Sequence, residues 1–244
     1  MARASAESRL GCAKPPQEGA NGRRIAVAEG LGVHGGVLRR LIASTRWCDI
    51  AKEAVGIPIL ILRAKRTGAR IFWLDEAAIR SDDPLQRTWG RKGETPVVAT
   101  SGQRQAINAI SALTNRGAFW YHGYTGRLNA DKFIECLRDF LASQRGKVIV
   151  IMDGHPVHKA KKVQQWLEQR ADRIEVEFLP GYAPDLNPDE LVWQEMRHKG
   201  TSKKPLKKGE SLKQRAINDL EAIKNDKALI RSLFRAPTVR YAAA

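Results

Sequence analysis

Long apolar runs are missing from this chain of 244 residues. The longest, VGIPILIL at 55–62, is far short of the ~20 residues that span a bilayer. The N-terminus, MARASAESRLG, has no apolar core of the kind a secretory signal carries. These absences argue against a membrane partner and for a cytoplasmic protein. Cysteine is scarce as well: Cys12, Cys48 and Cys136 are isolated, odd in number and without metal-ligand spacing. A disulfide framework and a cysteine zinc site are therefore set aside. No internal repeat is evident. Acids are in deficit, 26 Asp and Glu against 42 Lys and Arg, which leaves a net charge of +16.

The excess is unevenly placed. Residues 1–70 hold 13 basic against 5 acidic side chains and residues 197–244 hold 13 against 4, whereas residues 71–196 hold 16 against 17. Two basic flanks thus bracket a nearly neutral body. A partner with dense, repeating negative charge fits this pattern, because neutralising phosphates releases counterions whatever the base sequence. Nucleic acid is such a partner. A basic surface kept for solubility is the alternative.

Residues 1–54 show little sustained period, and only LGVHGGVLRRLIAST (31–45) suggests a short helix. From residue 70 the pattern sharpens. RIFWLD (70–75) reads as a strand, followed by a polar loop or hairpin, SDDPLQRTWGRKGETP. VVATS, QAINAISAL and GAFWYHGY read as further strands of an antiparallel meander. NADKFIECLRDFLASQ (129–144) opens on an Asn cap and places Phe133, Leu137, Phe140 and Leu141 on one helical face. KVIVIMD (147–153) is a near-continuous apolar run, the mark of a strand buried on both faces. HKAKKVQQWLEQRAD then predicts a basic amphipathic helix, IEVEFLP (174–180) a strand, and 188–198 a helix. Two more helices are expected at about 210–224 and 226–235, after a basic linker. Three antiparallel strands followed by alternating helix and strand predict an α/β fold, a mixed sheet with flanking helices.

Two of these strands end in an acid, Asp75 and Asp153. A turn-initiating Asp is the ordinary reading of either alone. Two aspartates at the ends of buried strands carry a burial cost unless they are paired or bind a metal. Glu190 follows after an interval of 36 residues, in LPGYAPDLNPDELVW (179–193). Asn187, Pro188 and the acids of the first turn suit a helix start. Two strand-end aspartates and a glutamate on a following helix can also hold two divalent cations about 4 Å apart, as two-metal phosphoryl transfer requires. Oxygen donors suit Mg2+ or Mn2+.

LDEAAIR followed by TWGRKGETPVV, then VIMDGHPVHKAK, then LPGYAPDLNPDELVW, resemble the three acidic motifs of DDE transposases, specifically the insertion sequence 630 branch of the mariner superfamily. The resemblance covers about residues 56–240. It implies a ribonuclease-H-like catalytic domain over 70–199, with 1–69 a shortened DNA-binding region and linker and 200–244 a basic helical tail. It implies Asp75, Asp153 and Glu190 as catalytic residues and metal ligands, with two Mg2+ or Mn2+ ions, and Glu190 rather than Asp189 as the third acid. The implied activity is metal-dependent DNA cleavage at element ends and strand transfer into a target, TA by analogy. The implied partners are double-stranded DNA, at the inverted repeats and the target, and a second copy in a homodimer, in a cytoplasmic, nucleoid-associated setting. A truncated DNA-binding remnant and a non-transposing nuclease of the same fold are the alternatives.

Arg87, Trp89, Arg91 and Lys92 lie in the loop after the first strand, where bases with an aromatic among them suit backbone contact and stacking on DNA. The resemblance makes this insertion a clamp. Lys159, Lys161 and Lys162 begin the helix after Asp153 and are placed to meet phosphates. His158 resembles the histidine that follows the second acid in the family, with an expected role in supporting that acid or touching a substrate phosphate. A His155, His158 and Asp zinc site is disfavoured by the oxygen-rich trio. Glu76 is expected to point away from Asp75 as a surface acid, and Asp185 and Asp189 to serve the loop and cap.

Overall fold

Apolar runs in alternation with amphipathic helices produce a five-stranded sheet covered on both faces. The computed structural model describes residues 56–81, 92–93, 104–181, 183–200 and 205–243. The expected helix at 31–45, the VVATS strand, and Arg87, Trp89 and Arg91 lie outside the described residues. In chain order the elements are α1 (Gly56–Thr67), β1 (Arg70–Arg80), β2 (Ala106–Leu113), β3 (Phe119–Tyr124), α2 (Ala130–Ser143) and β4 (Val148–Met152). There follow α3 (Lys161–Glu168), β5 (Ile174–Phe178), a 3-10 turn (Pro184–Leu186), α4 (Glu190–Lys199), α5 (Leu212–Asn225), α6 (Lys227–Leu233) and a last 3-10 turn (Arg240–Ala243).

The strand order is β3-β2-β1-β4-β5. β1, β2 and β3 pair antiparallel, and β4 and β5 join β1 in parallel. This is the mixed sheet expected of three antiparallel strands followed by alternating helix and strand. Trp73↔Ile151 is the last β1–β4 pair, and β4 stops at Met152. β1 runs on, pairing with β2 from Glu76↔Ile110 to Arg80↔Ala106. Asp75 therefore does not close its strand, as its sequence suggested. It sits mid-strand, where β1 loses the β4 neighbour and keeps β2.

Alternation along β1 divides the core in two. Phe72 and Leu74 join Phe133, Leu137 and Phe140 of α2 and Val163 and Trp166 of α3 on one face. Trp73 and Ile79 join Val192 and Trp193 of α4, Leu220 of α5 and Phe234 on the other. Asn129 caps α2 as expected, its Oδ1 accepting from the Lys132 N–H at 2.9 Å. The helices beyond residue 205 form where expected and are built into the second layer, with Phe234 edge-on to Trp73 at 5.2 Å between ring centroids. These residues belong to one compact unit running from Lys52 to Ala244. α3 is shorter than its amphipathic pattern, because the chain from His155 to Lys159 turns first, with the His158 N–H donating to the His155 carbonyl at 2.9 Å.

Phe140 is fully buried and meets Phe72 at 4.9 Å and Trp120 at 5.2 Å, both edge-on. Phe140→Ala should destabilise the protein by about 3–5 kcal/mol in urea unfolding, through lost transfer energy and the cavity it leaves.

Candidate active site

The point where β4 stops is where the acids gather. The β1–β4 register, continued by two residues beyond Trp73↔Ile151, sets Asp75 beside Asp153. Asp75 lies on the Trp73 side of the sheet, the side against which α4 packs. Asp75, Asp153 and Glu190 line one cleft of about 490 Å³, with Gly154, His155, Lys159 and loop residues that include Leu179, Pro180, Pro184 and Asn187.

Asn187 aims that loop. Its Nδ2 donates to the Leu74 carbonyl at 3.0 Å, just past the last β1–β4 pair, and its Oδ1 accepts from the Asp189 N–H at 3.1 Å. Asn187 therefore starts the helix from its own turn and fastens it to β1. α4 proper begins at Glu190, with Glu190 in its first turn and Arg197, His198 and Lys199 in its last, as the helix dipole favours.

Asp189 departs from its expected loop or capping role. It makes no side-chain cap. It is fully buried, and Ser111 Oγ lies 2.9 Å from each of its carboxyl oxygens. Burial, then the charge of Asp75, pushes its pKa well above the usual carboxylate value, against the Ser111 hydrogen bond. The sequence held one sign of this partner: Ser111 is a lone hydroxyl between Ile110 and Ala112 in an apolar strand.

Asp75 is pushed up to about 8, first by burial and then by the carboxylates of Glu190 and Glu76. Its Oδ2 is buried without a hydrogen-bond partner. Glu190 is raised by burial, against the pull of Arg197 at 3.9 Å. Asp153 is lowered, foremost by its hydrogen bond with His158, whose Nδ1 lies 3.0 Å from Oδ1.

His158 is 1% exposed, and no part of its side chain reaches solvent. Of the two roles expected of it, supporting Asp153 fits this burial, whereas its ring does not reach solvent in this arrangement. It packs on Phe133 at 4.4 Å and lies between Asp153 and Glu76, 3.4 Å from Glu76 Oε2. Glu76 correspondingly is no free surface acid; its side chain is 20% exposed and turned toward that ring. Burial disfavours charge on His158, but the Asp153 and Glu76 carboxylates outweigh it and raise the pKa to about 9. Lys159 lines the cleft, its ammonium 5.0 Å from the Phe178 ring centroid. Lys161 and Lys162 open α3 on its exposed side, and Lys162 is paired with Asp131 of α2. Lys92 is exposed in a turn.

A mixed sheet in this order, helices on both faces and acids collected where the central parallel strand stops make a ribonuclease-H-like fold. Residues 70–213 match the family model described as DDE superfamily endonuclease, and the chain belongs to that family. Similar solved structures include the Mos1 transposase paired-end complex with left transposon end, at 19% identity and a TM-score of 0.54. The Mos1 strand transfer complex and the Mos1 mariner paired end complex with Mn follow, each at 20% identity and a TM-score of 0.51. Each alignment covers 96% of this chain and 82% of the other. No curated protein matches. Among the described residues, no helix is long and apolar enough to cross a membrane.

Two expectations follow. Asn187→Ala should lower stability by about 1–3 kcal/mol in urea unfolding, since the buried Leu74 carbonyl loses its donor. The second concerns pH. Asp75, near 8 folded against 3.8 ordinarily, and His158, near 9 against 6.5, both bind their proton more tightly when folded. Each contributes stability that is lost as pH rises through the folded value. The melting temperature of the metal-free protein should therefore fall between pH 6.5 and 9, and Asp75→Asn should reduce that slope.

Proposed function

We propose that this protein is a DNA transposase of the insertion sequence 630 type, cleaving DNA at element ends and joining the freed 3′ hydroxyl to a target, TA by analogy. The observation that carries the reading is the meeting of Asp75, Asp153 and Glu190 in one cleft. Two of the three have pKa values raised by burial and mutual repulsion, and one buried Asp75 oxygen has no partner. That is a donor set suited to hard divalent cations. Membership of the DDE superfamily endonucleases and the fold shared with the Mos1 structures support the same reading.

Asp75, Asp153 and Glu190 are the residues to hold Mg2+ or Mn2+, two ions in this proposal. The metal would activate the attacking hydroxyl and neutralise charge on the leaving oxygen. Asp75 supplies a carboxylate whose repulsion with Glu190 and Glu76 such a cation relieves. Asp153 is kept ionised by the His158 ring and by the His155 N–H, which donates to its Oδ1 at 3.1 Å. Glu190 is carried in from the opposite side by the Asn187 loop. Both chemical steps are in-line phosphoryl transfers that need positioning and charge stabilisation but no covalent protein nucleophile.

DNA is held by charge in this reading. Lys159, beside the cleft, and Lys161, on the neighbouring turn, meet the backbone near the cut, with Lys162 at the outer edge. Arg87, Trp89, Arg91 and Lys92 form a clamp, and the basic flanks add affinity that falls with salt. His158 acts through Asp153 instead of on DNA. Two copies joined as a homodimer bring two ends together, on nucleoid DNA.

The test is cleavage of a supercoiled plasmid carrying the element's ends, by wild type and Asp153→Asn, in Mg2+ and in EDTA. Cleavage and joining should require the metal and drop at least ~100-fold in the variant, as expected on losing transition-state charge stabilisation. Cleavage without joining would favour a plain nuclease. DNA binding by folded wild type without any cleavage would sink the enzymatic reading.

A further inference from the structure

Beside the acid cleft, and sharing His155 with its wall, a second set of donors converges. Glu76, His155 and His158 each offer one ligand atom, all within 4.8 Å of one another. Glu76 follows Asp75 by one residue and so faces the opposite layer, and the turn after β4 brings both histidines to it.

Two atoms of this set are left without hydrogen bonds. His158 Nε2 and Glu76 Oε2 are both buried and face each other as a loose ion pair, 3.4 Å apart, with no closer hydrogen-bond partner. That is longer than an ordinary N–H···O bond of about 2.9 Å. It is also the spacing of two donors on a tetrahedral ion, since ligands about 2.1 Å from such a centre lie about 3.4 Å from each other. The other ring nitrogen of His158 lies 3.0 Å from Asp153 Oδ1. A metal-bound histidine ordinarily gives its second N–H to a carboxylate, which sets the tautomer and aims the free nitrogen. His155 Nδ1 accepts from the Val157 N–H at 3.3 Å, and its ring offers one nitrogen to the set. His155 is exposed, so its ring has room to turn.

We infer that Glu76, His155 and His158 form a site for a zinc-class transition ion, with three protein ligands and a position open to solvent, adjoining the oxygen site of Asp75, Asp153 and Glu190 but using a different donor set. Two imidazoles and one carboxylate suit Zn2+ or Co2+ rather than Mg2+. Asp153 belongs to both arrangements, as an acid of the cleft and as the carboxylate behind His158. An ion bound here would hold the His158 ring and through it the orientation of Asp153.

The inference is independent of the transposase reading and is tested without catalysis. The full chain, stripped of metal and held in excess Mg2+ to occupy hard oxygen sites, is titrated with Co2+ while visible d–d absorption is followed. The expected result is an intense, tetrahedral-type spectrum saturating at one equivalent and displaced by Zn2+. Glu76→Gln and His155→Ala should each weaken Co2+ binding at least ~tenfold, the scale of loss for damaged metal sites. Both positions are partly or fully exposed, so circular dichroism and melting temperature will report that the variants fold. Asp75→Asn should leave the spectrum in place. No such spectrum at one equivalent would overturn the inference and leave Glu76 and His158 as an ion pair. Undiminished binding in both variants would overturn it too, as would a spectrum lost only with Asp75→Asn.

Discussion

One buried amide holds the working end of this fold together. β4 stops at Met152, and the Leu74 carbonyl of β1 lies just beyond the last pair of that ladder. A buried carbonyl needs a donor, and the donor is the side chain of Asn187, 113 residues away. The same amide accepts the Asp189 N–H and so begins the helix that carries Glu190. Strand end, loop and helix start thus meet at one residue, 3% exposed. Ser111 ties Asp189, two residues on, to β2, and the Tyr241 hydroxyl donates to the Leu186 carbonyl from the far end of the chain. The C-terminal helices are joined to the site's layer through the core they share with Val192 and Trp193 of α4 and through Phe234 against Trp73.

The electrostatics follow from this fastening. Holding Glu190 and Asp189 beside Asp75 sets three carboxylates close together; burial, then the charges of Glu190 and Glu76, pushes Asp75 up to about 8, and burial with the charge of Asp75 raises Asp189. Such crowding opposes folding unless protons or cations relieve it. Asp153 escapes because His158 stands next to it. Two neighbouring aspartates thereby come to differ in their proton affinity, one starved of counter-charge and one supplied with it. A cleft that combines an ionised acid with acids awaiting a cation suits the metal-dependent chemistry proposed for it.

The termination of β4 also lets the two faces of the sheet communicate. Asp75 belongs to the layer of Trp73 and α4, whereas Glu76 and His158 belong to the layer of Phe72 and α2. Asp153, one residue past the strand, is held by neither layer alone and reaches both. A longer β4 would have enclosed it in the ladder and separated the two sets of polar groups.

The sheet was legible from residue patterns because strand and helix periods are local. VIVIM, the Asn129 cap and the face of α2 needed no knowledge of distant residues; Asp75 and Asp153 stood out as charges ending apolar runs, while Glu190 was picked out by the resemblance of its loop. Other assignments from sequence failed where the deciding partner was remote. Asp75 read as a strand end because the chain turns polar after it, yet β2 keeps pairing with Glu76 to Arg80. Glu76 read as a surface acid because alternation gives a face but not what covers it; the His158 ring stands against it. Asp189 read as a cap because its spacing suits one, yet Ser111 lies waiting across the sheet. The sequence by itself determined element types, strand faces and the identity of the charged groups, all of which depend on neighbours within a few positions. Only the tertiary structure decided which acids are buried, which are paired and which share a cleft, because those depend on dielectric and distance between residues far apart in the chain.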